Sequence, residues 1–462
     1  MMTTSPTRTL LDGTRITGHR ITVPLDWAEP EGAQIELFAR EYLGAEAAKA
    51  GHAAVAHMPW LLYLQGGPGG KGTRPARLSG WMEEAATRFR ILMLDQRGTG
   101  LSTPLSRRSP LLAGASPEHQ AQVMRRFRAD SIIRDAEAFR QALQRAGHGT
   151  ESWSVLGQSF GGFCTLTYLS LFPESLERAL LTGGLPPLTG HAERVYRHTY
   201  PAMRIRNAEH FSRFPEDRER LDAVVAHVRA AAEADGPVQL PDGSPLTTAR
   251  LQTLGMLLGG NTRADTLHHL LEEAFVPQSA AAGSPQLSDT FLEAVHSQIS
   301  FAGNPLYAVM HESIYGQPAA IAAGDAPESE GGATAWSAQR VLTEYPDFSP
   351  ESASPLLTGE MILPEHVTLD PSIAPLAESA EILAGVEDWE PLYDLTRLAQ
   401  NTVPAAAAVY SDDVYVARTL SLETAEQVAG LSVWETDEFH HDGLNDDGAR
   451  ILRELLARTE AA

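Results

Sequence analysis

The sequence predicts an α/β fold: a mostly parallel sheet, with a mainly helical domain inserted in its second half. Three observations lead there. Short, continuous apolar runs such as Leu61–Gln65 and Ile91–Asp95 are bounded by turn residues, as strands buried on both faces of a parallel sheet are. They alternate with stretches of helical period, and strand–helix alternation is the signature of an α/β sheet. Near residue 190 the alternation stops, and it resumes only near residue 403.

The elements follow in order. Arg20–Leu25 and Gln34–Tyr42 read as strands around the turn-rich segment 27–32. After an Ala-rich connection come the two buried runs already named. Residues 129–146 place apolar side chains at 132, 133, 136, 139 and 143, one face of a helix. Trp153–Leu156 reads as a strand, Phe160–Leu171 as a helix and Ala179–Thr182 as a further strand. From about 190 to 385 the pattern is helical, for example over Leu221–Ala234 and Thr248–Leu258, and is broken by Gly/Pro turns and by an acidic, glycine-rich loop at 324–332. Sheet signals return at Val403–Tyr410 and Leu431–Trp434, and Leu444–Ala457 closes the chain as an amphipathic helix. The predicted organisation is a core of residues 1–188 and 386–462 with a helical cap domain at 189–385.

Composition narrows the function classes. Of 462 residues, 43% are hydrophobic and 21% charged, ordinary for a globular chain able to bury a sizeable core. The net charge of -23 argues against nucleic acid and against an anionic membrane surface, both polyanions, and suits a cationic ligand. Cys164 is the single cysteine, so neither an internal disulfide nor a cysteine-rich metal cage can form; it reads as a small buried side chain. The first residues lack the apolar run of a signal peptide, and no apolar stretch approaches the ~18 residues of a membrane span. A soluble, cytoplasmic protein is expected.

The chemistry concentrates in a few motifs. Gly157-Gln158-Ser159-Phe160-Gly161 matches G-x-S-x-G, a strand-to-helix turn so tight that side chains at the two glycine positions would clash. By chance such a match occurs in about one chain of this length in six; its place between an apolar strand and a helix is what makes it a nucleophile elbow. The loop 65–70 (QGGPGG) follows another strand and can aim a backbone N–H at the oxyanion, the second donor being the N–H of Phe160. A phosphate-binding loop is the competing reading there, but no G-K-[ST] follows at the required distance. Asp95 and Arg97, at the end of a third strand, read as structural residues pairing beneath the site loops. On such a sheet the nucleophile is followed by an acid and then a histidine. Asp412 and Asp413 sit after the strand ending at Tyr410, and only His440 and His441 remain beyond them. Both choices stay open at this point.

With these pieces assembled, nearly the whole chain resembles the proline iminopeptidases, α/β-hydrolase serine peptidases, and most closely their larger type with a long inserted cap. The resemblance rests on residues 61–70, on LDQRGTGLSTP at 94–104, LGQSFGGFCTLTYLS at 156–170 and LTGGLPPL at 181–188. It continues with HESIYG at 311–316, TGEM at 358–361, AAAVYSDDVYV at 406–416 and HDGL at 441–444. Gln65 departs from the histidine that smaller members carry, while the glycines that would form the oxyanion hole are intact.

The resemblance implies an α/β-hydrolase fold and release of N-terminal proline from peptides, with no cofactor and no metal. It implies Ser159 as nucleophile, Asp413 as the orienting acid, His441 as the base, and Gly67 with Phe160 as the oxyanion donors. Cap glutamates bind the substrate's amino terminus in this family. Glu312 resembles one such position, and Glu360 is the candidate for a second: a buried ammonium needs an anionic partner. The alternative is a carboxylesterase or other acyl hydrolase using the same triad. A catalytically silent relative is disfavoured because no triad member is missing.

Overall fold

The computed structural model describes residues 2–51, 55–234, 236–276, 285–322 and 332–460. Its strands are β1 (Thr3–Thr4), β2 (Arg8–Thr9), β3 (Arg15–Pro24), β4 (Gln34–Leu43), β5 (Trp60–Leu64), β6 (Arg90–Asp95), β7 (Trp153–Gln158), β8 (Leu176–Thr182), β9 (Ala405–Tyr410) and β10 (Leu431–Thr436). They form one sheet in the order β1-β3-β4-β6-β5-β7-β8-β9-β10, with β2 beside β3. From β6 to β10 every pairing is parallel, while β3 and β4 join antiparallel at one side. The family fold expected from the motifs is thus an α/β sheet with a long antiparallel hairpin on its flank.

The continuous apolar runs form the centre because both sheet faces are covered. In β5, Leu62 and Leu64 join the core on one face, and Leu61 and Tyr63 the core on the other, as a period of two requires. The helix Ala129–Arg145 buries Ile132, Ile133, Ala136, Phe139 and Leu143, the stripe read from sequence. The final helix, Gly443–Glu460, packs Ile451, Leu452 and Leu455 into the second face. There the strand β9 offers Ala406 and Ala408, whose small side chains leave room for a helix. Asp447, with φ -144° and ψ 63°, interrupts that helix near its start.

Between β8 and β9 the described residues contribute helices and no strand to the sheet. The longest are Ala192–Arg213 and Glu216–Ala234, followed by Asn261–Glu272 and Asp289–Ile299. The helix expected over Thr248–Leu258 divides: Thr248–Gln252 is α-helical and Thr253–Gly259 tightens to a 3-10 turn. Gly255 and Gly259 lie in that turn, and a β-carbon on Gly255 would fall 2.3 Å from the Thr358 carbonyl oxygen. The turn therefore lies directly against the TGEM segment. The acidic run at 324–331 lies outside the described residues. No helix among the described residues is long and apolar enough to cross a membrane.

Candidate active site

Ser159 stands where β7 passes into the helix Phe160–Leu171, with φ 55° and ψ -126°. A non-glycine residue in that region costs about 1–3 kcal/mol and is kept only where its surroundings fix it. Here they do. The Ser159 N–H donates to the Thr182 carbonyl at 3.0 Å, and its own carbonyl accepts from the Gly162 N–H at 2.7 Å. A β-carbon on Gly161 would fall 1.9 Å from the Leu64 carbonyl oxygen, and one on Gly157 would fall 2.3 Å from that of Gly161. The glycines of the motif are thus demanded by close backbone approach. Phe160 is the first helical residue, so its N–H has no acceptor within the helix and is free to bind an oxyanion.

The 65–70 loop abuts the serine from the end of β5. A β-carbon on Gly66 would lie 2.9 Å from the Ser159 β-carbon, and Gly67 adopts φ +129°. Two tethers hold the loop: Gln96 Nε2 donates to the Gln65 carbonyl at 2.9 Å, and Asn304 Nδ2 donates to the Pro68 carbonyl at 2.9 Å. The second tether comes from the helical insertion.

Asp413 is 3% exposed, and each of its carboxylate oxygens is engaged. Oδ1 accepts from the N–H groups of Tyr415 and Val416, both at 2.9 Å. Oδ2 is 2.8 Å from Nδ1 of His441, itself 4% exposed. The glycine pair after β8 connects this ion pair to the serine. A β-carbon on Gly184 would lie 2.5 Å from the Ser159 carbonyl oxygen, and one on Gly183 would lie 3.2 Å from His441 Nδ1 and 3.3 Å from Asp413 Oδ2. Asp412 and His440 make a second pair at 2.9 Å, one residue earlier in each loop, with the Asp412 side chain 34% exposed.

A ring of polar groups closes over the histidine. The Tyr415 ring meets His441 edge-on at 4.8 Å, and its hydroxyl donates to the Met256 carbonyl in the 3-10 turn. Arg263 reaches Asp442 at 3.0 Å. Glu360 accepts from the Tyr307 hydroxyl at 2.6 Å and lies within electrostatic reach of both His441 and Asp413. Burial works against the protonated imidazole of His441, but the charge and hydrogen bond of Asp413, backed by Glu360 and Asp442, outweigh it and push the group up to about 9. Burial also raises Glu360, with the His441 charge opposing.

The other predicted residues separate. Glu312 is buried, and its two oxygens accept from the N–H groups of Ser337 at 3.0 Å and Ala338 at 2.9 Å, at the start of the helix Ser337–Leu342. Burial pushes it up to about 7, against those two donors. Asp95 and Arg97 do not pair with one another. Asp95 binds Arg74 and accepts from the N–H groups of Gly72 at 3.0 Å and Leu101 at 2.7 Å, whereas Arg97 forks onto Asp135. Cys164 is fully buried, and burial pushes its thiol up. Asn304, Tyr307, Arg263, Tyr415 and Asp442 were not singled out by the sequence reading. Asp442 and Tyr415 flank the predicted triad in sequence; the other three come from the insertion and carry no local signal.

The α/β hydrolase fold family matches residues 59–231. A proline iminopeptidase of Aeromonas sobria is 40% identical over 454 residues, covering 98% of each chain. A proline iminopeptidase of Aspergillus aculeatus is 30% identical over 448 residues, 96% of this chain and 93% of the other. A tripeptidyl aminopeptidase of Streptomyces lividans is 27% identical over 199 residues, 36% of this chain and 35% of its own.

Proposed function

The chain belongs to the proline iminopeptidase family of α/β hydrolases, and from that premise we propose that it releases proline from the free amino terminus of peptides through an acyl-enzyme. In this reading His441 takes the Ser159 proton as the hydroxyl attacks the carbonyl carbon of the terminal proline. The oxyanion that forms is held by the N–H groups of Gly67 and Phe160. His441, now an imidazolium braced by Asp413, gives its proton to the departing amine. Water, deprotonated by the same histidine, then frees proline from Ser159. Every step is proton transfer or acyl substitution at carbon: the proton taken from Ser159 leaves on the amine, and the one taken from water returns through His441 to restore the serine hydroxyl.

The observation that carries the substrate assignment is Glu360. It is a partly buried carboxyl group near the catalytic pair, and its described hydrogen bond comes from the neutral hydroxyl of Tyr307. A secondary ammonium docked there would meet a charge with unspent capacity, whereas both Glu312 oxygens are already taken by backbone donors. We therefore rank Glu360 ahead of Glu312 as the anchor for the amino terminus. The cap in this reading is residues 189–385. The buried, unpaired Cys164 is compatible with a reducing compartment, and the cytoplasm is the proposed setting.

A panel of prolyl, alanyl and leucyl anilides, with N-acetylprolyl anilide and a neutral aryl ester, tests the reading. Prolyl anilide should be the best substrate and its N-acetyl form inert. Ester hydrolysis exceeding every anilide, with the blocked substrate cleaved as well as the free one, would turn the assignment into an esterase.

A further inference from the structure

Among the described residues, one group of side chains brings three metal-ligating atoms within 4.8 Å of one another: His268, His269 and Glu272. They occupy the last turn of the helix Asn261–Glu272, whose first turn carries Arg263. Spacings of three and four residues set both imidazoles beside the carboxylate. His269 Nδ1 is 3.2 Å from Glu272 Oε2, and His268 Nε2 is 3.6 Å from Glu272 Oε1. A tetrahedral zinc ion with bonds of about 2.0–2.1 Å has ligand–ligand edges of roughly 3.3 Å. Two edges of the site are therefore close to the separation an ion needs. The third closes by rotation of His269, whose side chain is 73% exposed.

Two helix-end ion pairs would give the same distances, so the orientation of His268 decides the matter. Its ring stacks on Phe214 at 4.0 Å and 13°, and its Nδ1 is 3.0 Å from both oxygens of Asp217. Asp217 is wholly buried and also binds His210 Nε2 and Arg220 Nη1, each at 2.9 Å. A carboxylate at Nδ1 holds the proton there and leaves the Nε2 lone pair directed at Glu272. Carboxylate, histidine and ion in line is how proteins fix and strengthen an imidazole ligand. The helix C-terminus and the net charge of -23 both favour a cation. Among the described residues Arg220 is the near competitor, its Nη2 3.8 Å from Glu272 Oε1.

We propose that His268, His269 and Glu272 form a site for one divalent transition-metal ion of the zinc class, with Asp217 positioning His268 and water completing the coordination. Two imidazoles with one carboxylate select zinc, nickel, cobalt or copper over magnesium and calcium, which prefer all-oxygen sites. The site shares no residue with the triad, so its ion is structural. Through His268 and Asp217 it fastens the helix Asn261–Glu272 to the start of the helix Glu216–Ala234.

The test is titration of the purified, metal-free full chain with zinc ion against a chromophoric chelator. One ion per chain is expected. His269→Gln and Glu272→Gln should each weaken binding about 10-fold or more, and Asp217→Asn about 10- to 100-fold; His198→Gln should leave it unchanged. Cobalt loading should give the visible bands of a four-coordinate ion, lost in His269→Gln. If Asp217→Asn fails to fold, His269→Gln and Glu272→Gln still decide, since both side chains lie at the surface. Tight binding that survives both substitutions, or an unsubstituted chain that holds zinc no more tightly than the double variant His269→Gln/Glu272→Gln, overturns the proposal.

Discussion

Two histidine–aspartate pairs lie side by side at the ends of β9 and β10, and they differ in almost everything except their residues. Asp412–His440 and Asp413–His441 share the sequence separation of 28 and have contacts of 2.9 and 2.8 Å. The second pair is buried, and two backbone N–H groups fix its carboxylate; the first is only partly buried, its Asp412 side chain 34% exposed. A pair that is partly open to solvent is worth less than a buried one, because water and salt screen it. What separates Asp413–His441 from its neighbour is therefore its surroundings: the donors behind the acid, and the dry packing that keeps the imidazole oriented.

The two pairs should differ most at the histidine. His441→Gln should reduce kcat on prolyl anilide by about 10⁴- to 10⁶-fold, like Ser159→Ala, whereas His440→Gln should stay within about 2-fold. Steady-state rates on folded variants check this, and the opposite ranking would exchange the pairs. Asp413→Asn should cost about 10⁴-fold in kcat, since it leaves the histidine in the wrong tautomer, and Asp412→Asn almost nothing.

The two glutamates sharpen the same lesson. Glu360→Gln should lower kcat/KM for prolyl anilide about 30- to 1000-fold, the equivalent of about 2–4 kcal/mol for a lost buried charge pair, with little effect on a neutral ester. Glu312→Gln should instead affect both substrates alike and lower the unfolding free energy by about 1–3 kcal/mol. An amide there offers one acceptor where Ser337 and Ala338 present two donors. If Glu312→Gln alone discriminates the substrates, the anchor is Glu312.

The smallest expected effect is in pH. His441 is pushed up to about 9, and only its neutral form can accept the serine proton, so kcat/KM should fall as the pH drops below about 9. Glu360 is among the charges that raise it, so Glu360→Gln should move the acidic limb of ester hydrolysis to lower pH. A limb that stays in place in this variant would show that Glu360 does not act on the base.

Much of this was legible in the sequence, and the reasons for the rest are physical. Strand–helix alternation and the elbow motif depend on local period and local sterics, so β5, β6, β7 and the helix Phe160–Leu171 were readable within a few residues. The exposed two-residue strands β1 and β2 carry no apolar signal and went unread. The choice between the paired histidines could not come from composition or spacing, because both pairs have the same types at the same separation. Only the resemblance favoured His441. The order of the glutamates was hidden for another reason: where Glu360 lies is set by the packing of the 3-10 turn and the TGEM segment, contacts about a hundred residues apart in the chain.

The glycines around Ser159 have a consequence for how loss-of-function maps of this protein should be interpreted. Gly157, Gly161, Gly162 and Gly184 each have backbone oxygen where a methyl group would go, at 2.3, 1.9, 2.3 and 2.5 Å. In an alanine scan scored by turnover alone, all four should be as silent as Ser159, though none has a side chain to do chemistry. Abundance would tell them apart. Alanine at the serine should leave soluble yield intact, while alanine at the glycines should deplete it, so the cluster of dead positions would be larger than the machinery it surrounds.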